Sequence, residues 1–404
     1  MRDPLDERFD ARRTMVGVVV LVVGLVVLGF LRPAVLGTVG VIVGIFAMIM
    51  IHEAGHYVTA KWSNMKVTEF FLGFGPRLWS VRRGETEYGV KAIPAGGYVR
   101  IIGMNNLDEV DPEDEPRTYR AKPYRNRLMV AVAGSFTHFA MAVIGLFLIL
   151  GVLGVPEARP VVNDTVEGLP AAGAGILPGD RIVGVDGAAV TEWADVPLAI
   201  RRHRPGERVV LRVERDGLAR DVEIVTAANP EDAGEALVGI RPEVVDATQP
   251  VPAAVGRAFT ETGSIAWQSL TAIGRFFTPG NVSRYADSLT GRTEPSDDTR
   301  FLSPVGATRV ASSAVEEGLR EVVFFLVLIN IFVGVFNMLP VPPFDGGHVA
   351  IATYEKVASS IRGRRVQVDM AKIMPVAMLV VAVLLFIGLS ALYLDIARPV
   401  EVRF

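Results

Sequence analysis

The stretch MIMIHEAGHYVTA (residues 48–60) decides what kind of fold this chain can adopt. It closes an apolar run that begins at Pro33, yet it carries His52, Glu53 and His56 within five residues. Ionisable side chains are costly inside a segment that can lie in a bilayer, and they mark function there by default. The apolar run therefore indicates a membrane fold, and the three ionisable residues indicate a functional site within it.

Four more apolar runs flank this one, and each meets or approaches the roughly 18–20 residues that a membrane-spanning helix needs. They are Thr14–Leu31, Leu128–Val155, Val322–Pro340 and Ile373–Leu394. A single run of this kind also fits a buried core helix, but five runs separated by charged loops predict a membrane protein. The mean hydropathy of +0.37 agrees with this prediction.

Charge and cysteine content exclude some classes of protein and orient the helices. The net charge of −3 gives no nucleic-acid footprint, and the absence of cysteine removes thiolate metal sites. The acidic residues before Thr14–Leu31 favour a retained helix over a cleaved signal peptide. The loops 61–127 and 356–372 are rich in Lys and Arg, which places them in the cytoplasm and residues 156–318 outside it.

The segments between the apolar runs predict several smaller structures. Residues 66–104 alternate β-formers with Gly and Pro, which predicts short hairpins, either in the cytoplasm or dipping into the membrane. Residues 157–245 alternate strands and turns around a helix at 193–202, and resemble a PDZ domain, which either captures extended peptides or acts as a spacer. Residues 251–277 predict an amphipathic helix, on the membrane surface or in a core, and residues 278–300 a mobile loop.

His52, Glu53 and His56 form the pattern H-E-x-x-H. Residues four apart lie on one face of a helix, so both imidazoles can bind one ion. Zinc suits imidazole nitrogen, and the intervening glutamate is suitably placed to act as a general base. A third ligand must come from elsewhere in the chain.

The segment NMLPVPPFDGGH (residues 337–348) offers that ligand. Its prolines end the apolar run, and its two glycines allow backbone to pass close to another group. A third zinc ligand would have to be a carboxylate held at membrane depth by irregular backbone, and Asp345 is a candidate. Taken alone, Asp345 fits the cap of the following helix, or a simple loop acid, better than a metal ligand.

The two motifs together resemble the site-2 protease family (M50) of intramembrane zinc metalloproteases. That family combines H-E-x-x-H with N-x-x-P-x-P-x-x-D-G, which Asn337, Pro340, Pro342, Asp345 and Gly346 match; the stretches GFGP and IPAGGYVRIIGM match as well. The resemblance covers residues 36–396 and is closest to the bacterial branch with one PDZ domain.

The resemblance implies a role for each site residue. His52, His56 and Asp345 would bind zinc, Glu53 would be the general base, and Asn337 would hold the extended substrate backbone. Two histidines remain spare: His138, and His348, which fits either a donor behind the metal ligands or a membrane-surface residue. Every ligand is present, which argues against the alternative of a non-catalytic scaffold whose PDZ domain binds peptide termini.

The resemblance also implies partners. The substrates would be single-span membrane proteins, such as anti-sigma factors or remnant signal peptides, after a site-1-type protease has trimmed them. No nucleic acid is expected, and the lipid bilayer is the surrounding medium.

The expected architecture is a multi-pass α-helical membrane protein of the cell membrane. It has four core transmembrane helices plus one extra N-terminal helix, a membrane re-entrant β-sheet and an inserted extracytoplasmic PDZ domain. The expected segments are the N-terminal tail and extra helix (1–33), the first half of the catalytic membrane domain (34–155), the PDZ domain (156–245), an extracytoplasmic amphipathic helix and loop (246–318) and the second half of the catalytic domain (319–404).

Overall fold

The computed structural model describes residues 33–104, 109–230, 232–294 and 301–398. The expected N-terminal helix Thr14–Leu31 lies outside these residues. The chain separates into two compact units. Residues 149–254 are called the inserted unit, and the described residues on either side of them the membrane unit.

Helices form over the apolar runs that lie within the described residues. They are α1 (Pro33–Trp62), α2 (Tyr124–Leu148), α3 (Pro170–Gly173), α4 (Asp195–Ile200), α5 (Val251–Phe276), α6 (Pro279–Thr290), α7 (Pro304–Glu317), α8 (Leu319–Asn337), α9 (Asp345–Arg362) and α10 (Met370–Ala397). Within the described residues, α1, α2, α8 and α10 are long and apolar enough to cross a membrane. Four of the five predicted runs are thus confirmed as apolar helices.

These four helices expose much of their apolar surface. In α10 only 6% of the most apolar 18-residue window is buried, and large side chains such as Leu385, Phe386 and Leu389 are exposed. A water-soluble protein rarely exposes contiguous apolar patches of this extent. The pattern fits a protein whose outer helix faces contact lipid.

Small residues let the membrane helices approach closely. A Cβ atom at Gly145 of α2 would lie 2.4 Å from Cγ2 of Val327 in α8, so only glycine fits at this crossing. Close contact of this kind is the main source of helix association in membranes, where lipid is as apolar as leucine. It brings α2 and α8 together beside α1.

A twice-folded hairpin follows α1. Its strands are β1 (Val67–Arg83) and β2 (Thr86–Ile101), and Phe71 of β1 pairs with both Tyr98 and Gly89 of β2. Residues 67–72 therefore lie between residues 97–101 and residues 86–90. Within the described chain no strand pairs with the outer side of residues 97–101, so they form an edge of the sheet.

The inserted unit is built on a second sheet. Its strands are β3 (Val155–Thr165), β4 (Arg181–Val185), β5 (Ala188–Ala189), β6 (Arg208–Arg215), β7 (Leu218–Val225), β8 (Ala227–Ala228), β9 (Ala236–Leu237) and β10 (Ile240–Ala247). The main sheet has the order β10-β3-β4-β6-β7, and β5 pairs with β4. Alternate residues of β6, Val209, Leu211 and Val213, are completely buried, as the period of a half-buried strand requires. Helix α4 is shorter than the predicted 193–202.

The segment after the inserted unit corrects one prediction. The expected helix at 251–277 is confirmed as α5, but the mobile loop predicted for 278–300 is wrong over its first half, where α6 forms. Pro279 occupies the first turn of α6 and Gly291 ends it with φ 81°, as helix termini favour. Tyr285 of α6 packs on Phe276 and Leu394. This tertiary contact stabilises a helix that polar composition alone did not indicate.

Candidate metal centre

Helix α1 brings the two histidines of H-E-x-x-H to one face. The Nε2 atoms of His52 and His56 lie 3.2 Å apart, and both residues are buried, 8% and 5% exposed. Helix α2 passes directly beneath them at Gly134. A Cβ atom there would lie 2.4 Å from His52 Cε1 and from His56 Nε2, so the rings occupy space that only glycine leaves free.

The chain folds back sharply to place Asp345. Helix α8 ends at Asn337, and α9 begins at Asp345. Between them the backbone turns so tightly that a Cβ atom at Gly346 would lie 2.2 Å from the carbonyl oxygen of Met338. A Cβ atom at Gly347 would lie 2.6 Å from the nitrogen of Pro342. The two glycines are therefore steric requirements of the turn that presents the carboxylate.

Three ligand atoms from remote parts of the chain form a small triangle. Asp345 Oδ2 lies 3.4 Å from His52 Nε2 and 3.3 Å from His56 Nε2. Tetrahedral zinc with ligands at about 2.0–2.1 Å separates them by roughly 3.3–3.4 Å. Within the described chain, Asp345 Oδ2 is buried without a hydrogen-bond partner. The triangle and the unsatisfied oxygen fit a metal ion bound by His52, His56 and Asp345, a set with the composition of a metal site.

One of the histidines is oriented by a backbone hydrogen bond. Nδ1 of His56 lies 2.7 Å from the carbonyl oxygen of Val130, and it donates to that oxygen. The hydrogen bond fixes the tautomer, because the lone pair must then reside on Nε2, the atom in the triangle. Metal-binding histidines are usually supported in this way.

Glu53 lies between the triangle and the edge of the hairpin sheet. A Cβ atom at Gly97 would lie 3.0 Å from Glu53 Cγ, so the glutamate packs directly on the backbone of the edge strand. The side chain is half-buried. It is thus next to the two histidines in α1 and next to the edge strand of the hairpin sheet.

The other predicted residues take separate positions. Asn337 is the last residue of α8, half-buried and outside the ligand triangle. His348 lies one turn after Asp345 in α9, with its ring 6.3 Å from that of Tyr119. Burial lowers the pKa of the His348 imidazole below its ordinary value of 6.5, which favours the neutral ring.

A buried ion pair fixes α9 against α2. Arg127 Nη1 donates to Glu355 Oε2 at 2.6 Å, and the two side chains are 13% and 10% exposed. Glu355 Oε1 also accepts a hydrogen bond from the backbone N–H of Val368, just before α10. Ten residues of helix separate Glu355 from Asp345, about 15 Å, so the pair sets the position of the helix that carries the third ligand.

Two buried polar residues near the centre were not predicted to belong to it. His138 of α2 lies with its ring centroid 4.9 Å from that of His52, and its Nδ1 atom is 2.8 Å from Oδ1 of Asn330 in α8. The signal was present in the sequence, since each is a polar residue inside an apolar run. Their mutual contact is not deducible from spacing, because 192 residues separate them.

A largely apolar cavity of about 390 Å³ adjoins the edge strand. Its walls come from residues 98–101, the proline turn, His348 and Ile351 of α9, and the first two turns of α10. The cavity therefore runs beside the segment that carries Asp345 and along the free edge of the hairpin sheet.

Comparison with known proteins gives a family match over most of the chain. The model of peptidase family M50 matches residues 40–384. The zinc metalloprotease Rip1 of Mycolicibacterium smegmatis is 32% identical over 409 residues, covering 91% of this chain and 98% of the relative. The protein of the same name from Mycobacterium tuberculosis H37Rv is 31% identical, covering 88% and 96%. A putative zinc metalloprotease of Clostridium acetobutylicum is 30% identical, covering 80% and 86%.

Solved structures match a smaller part. The PDZ domain of an SdrC-like protein from Listeria monocytogenes is 21% identical and covers 21% of this chain and 87% of its own, with a TM-score of 0.19. The corresponding domain from Listeria innocua is 22% identical and covers 22% and 93%, with the same TM-score.

Proposed function

Because the chain belongs to peptidase family M50 and is a site-2 type zinc metalloprotease, we propose that His52, His56 and Asp345 bind its zinc ion and that Glu53 is its general base. The observation that supports this assignment most strongly is the ligand triangle. Its edges of 3.2–3.4 Å join two imidazole nitrogens and one carboxylate oxygen, at the spacing that tetrahedral zinc imposes.

The mechanism divides the work between the ion and the chain. Zinc, when bound, supplies Lewis-acid polarisation. Glu53 takes a proton from the attacking water as the new C–O bond forms, and it then passes that proton to the amide nitrogen, so that the peptide C–N bond breaks and the amine leaves. Gly97 brings the edge strand against Glu53, which excludes water from one side of the carboxylate.

The substrate is an extended segment of a single-span membrane protein. A transmembrane helix must unwind before its amides can be attacked, and a free sheet edge satisfies the backbone groups that unwinding exposes. Residues 97–101 are such an edge. The adjoining cavity takes the substrate side chains, and Asn337 holds the substrate backbone, since its amide offers both a donor and an acceptor.

The topology follows from the basic loops. Residues 61–127 and 356–372 lie in the cytoplasm. The re-entrant hairpin sheet dips into the membrane from that side. Residues 156–245 are an extracytoplasmic PDZ domain, followed by an amphipathic helix and loop to residue 318. Residues 34–155 and 319–404 supply the two halves of the catalytic membrane domain.

The physiological substrates have a trimmed outer part. An intact extracytoplasmic domain is too large to follow an unwinding helix, so a site-1-type protease acts first. Anti-sigma factors and remnant signal peptides are single-span proteins of this kind. The family membership and the presence of Glu53 disfavour the alternative of a scaffold that only binds peptide termini.

The test uses the full-length protein in detergent. The wild type should contain one zinc ion per chain and cleave a single-span substrate within its membrane segment. Glu53→Gln should keep the zinc and lose cleavage, because it removes the base and leaves the ligands. A matched control is Glu316→Gln, an exposed residue of α7, which should keep both the zinc and the cleavage activity. Cleavage by the Glu53→Gln protein at the wild-type rate would refute the proposed mechanism.

A further inference from the structure

Helix α2 presents three residues in one stripe to the metal ligands. Val130, Gly134 and His138 are spaced by four, so they share one face. The carbonyl of Val130 accepts from His56, Gly134 lies beneath both rings, and the ring of His138 packs on that of His52 with an interplanar angle of 40°. The first two contacts serve the metal centre, which raises the question of what the third one does.

His138 and Asn330 are costly residues at their positions. Their side chains are 2% and 4% exposed, and both lie in helices that span the membrane. Burying polar groups among apolar helices is unfavourable unless they bond to each other, and such residues in membrane helices mark function. Neither residue belongs to the ligand triangle, and neither is the general base.

The hydrogen bonds fix the orientation of His138. The Nδ2 atom of Asn330 donates to the carbonyl oxygen of Leu326 at 2.9 Å, so its Oδ1 atom is the one that faces His138. That oxygen can only accept, and Nδ1 of His138 therefore donates to it at 2.8 Å. The plane of the His138 ring is set by α8 through this bond.

The two zinc-binding histidines are supported differently. His56 has the carbonyl of Val130 as its acceptor. Nδ1 of His52, by contrast, is buried beside the backbone of Gly134 but makes no hydrogen bond of ordinary geometry in the part of the chain that the structure describes. The ring of His52 must be held by what packs around it, namely Gly134 below and the ring of His138 at its side.

We propose that His138, held by Asn330, is a positioning residue that fixes the ring of His52 for zinc binding. The proposal rests on the assignment of His52 as a zinc ligand. A free ring loses rotational freedom when it binds metal, whereas a ring already fixed by a neighbour does not. Asn330 acts only through His138, so its contribution should vanish when His138 is absent.

The test measures zinc affinity in the full-length protein in detergent, stripped of metal and titrated with zinc against a competing chelator. His138→Leu should raise the zinc dissociation constant about 10–100-fold, the usual cost of losing a group behind a ligand. Asn330→Leu should shift it in the same direction by less. The visible spectrum of the cobalt-loaded His138→Leu protein should differ from the wild type, because the ligand geometry is altered.

The double variant His138→Leu with Asn330→Leu decides between positioning and packing. It leaves no unpaired polar group, so it should fold even if His138→Leu alone does not. Its zinc affinity should equal that of His138→Leu within about twofold. The effects of the two substitutions are then non-additive, because Asn330 acts only through His138. Phe139→Leu, the next residue of the same helix, is the control and should leave zinc affinity unchanged.

The outcomes separate two kinds of failure. A wild type that binds no zinc would overturn the proposed function itself. A zinc-binding wild type whose affinity and cobalt spectrum match those of the double variant would overturn only the positioning role of His138. Additive losses in the double variant would also overturn it, because Asn330 would then act independently.

Discussion

Two aspartates, one in each unit, have opposite surroundings. Both carboxylate oxygens of Asp180 in the inserted unit accept hydrogen bonds. Arg215 donates to Oδ1 at 2.6 Å and to Oδ2 at 2.7 Å, and the N–H of Leu177 donates to Oδ2 at 2.9 Å. Asp345 of the membrane unit has a buried Oδ2 that accepts no hydrogen bond from the described residues, and it faces two imidazoles instead. The carboxylate that stabilises the fold has hydrogen-bond donors at both oxygens, whereas the carboxylate of the candidate metal centre has one oxygen without a donor.

The two units that contain these acids also differ in where they place polar and apolar side chains. The core around Val162, Ile182 and Leu211 in the inserted unit is apolar. The membrane unit exposes apolar helix faces and buries His52, His56, His138 and Asn330. A polar group buried between the helices of the membrane unit cannot be solvated by lipid, so a partner within the protein or a bound ion lowers the cost of burying it.

The largest expected effect comes from Asp345→Asn. The amide keeps the size of the side chain but removes the charge, so zinc affinity should fall by more than the roughly 10–100-fold cost of losing a group behind a ligand. Chelator competition on the full-length protein measures this. The matched change Asp180→Asn should leave zinc affinity unchanged, and a zinc loss of similar size in both variants would remove the distinction drawn between the two acids.

Gly134→Ala should have the next largest effect. The added methyl group would meet His52 and His56 at 2.4 Å, so the rings must move apart or α2 must shift, and the ligand triangle widens. We expect zinc affinity to fall at least tenfold, which corresponds to about 1.4 kcal/mol. Gly388→Ala in α10, where a Cβ atom meets nothing within 4 Å, is the control. Wild-type zinc binding by the Gly134→Ala protein would show that the close contact is not required.

A smaller effect is expected when the saturated acid is changed. Asp180→Asn loses a charge-assisted pair with Arg215 and should lower the free energy of unfolding of the inserted unit by about 2 kcal/mol. Hydrogen exchange of residues 149–254 in the full-length chain reports this, with residues 124–148 as the internal reference. Unchanged exchange in residues 149–254 would mean that the buried pair contributes nothing to stability.

The smallest effect is the acid sensitivity of the same pair. Hydrogen bonds from Arg215, opposed by burial and assisted by the N–H of Leu177, lower the pKa of Asp180 below its ordinary value of 3.8. The stabilisation is therefore present above about pH 4 and is lost as the pH falls through the lower, folded-state value. The protection of residues 149–254 against exchange, corrected for the intrinsic rate at each pH, should fall below pH 4 in the wild type more than in Asp180→Asn. Parallel pH profiles in the two proteins would contradict this.

The sequence was informative where chemistry repeats in a short pattern. H-E-x-x-H predicted that His52 and His56 share a helix face, and the apolar runs predicted the membrane helices, because both signals are local. The family membership inferred from the two motifs is confirmed. That Asp345 approaches the histidines rested on the resemblance alone, since a fold-back after three prolines has no unique direction.

Contacts between segments that are far apart in the chain could not be predicted from the sequence. Neither the pairing of His138 with Asn330 nor that of Arg127 with Glu355 has a spacing rule, and the carbonyl of Val130 carries no side-chain signal at all. Helix α6 was wrongly predicted as a loop because its residues are mostly polar. The contact of Tyr285 with Leu394 that stabilises the helix joins segments far apart in sequence. Tertiary packing overrode local composition there.

X-ray absorption at the zinc edge of the metal-loaded, full-length protein tests the central claim most directly, that two remote helices supply one ion with two imidazoles and a carboxylate. The account predicts two imidazole nitrogens and at least one oxygen at about 2.0–2.1 Å, with the oxygen contribution altered in Asp345→Asn. A first shell with no imidazole, or one that is identical in the wild type and Asp345→Asn, would contradict it.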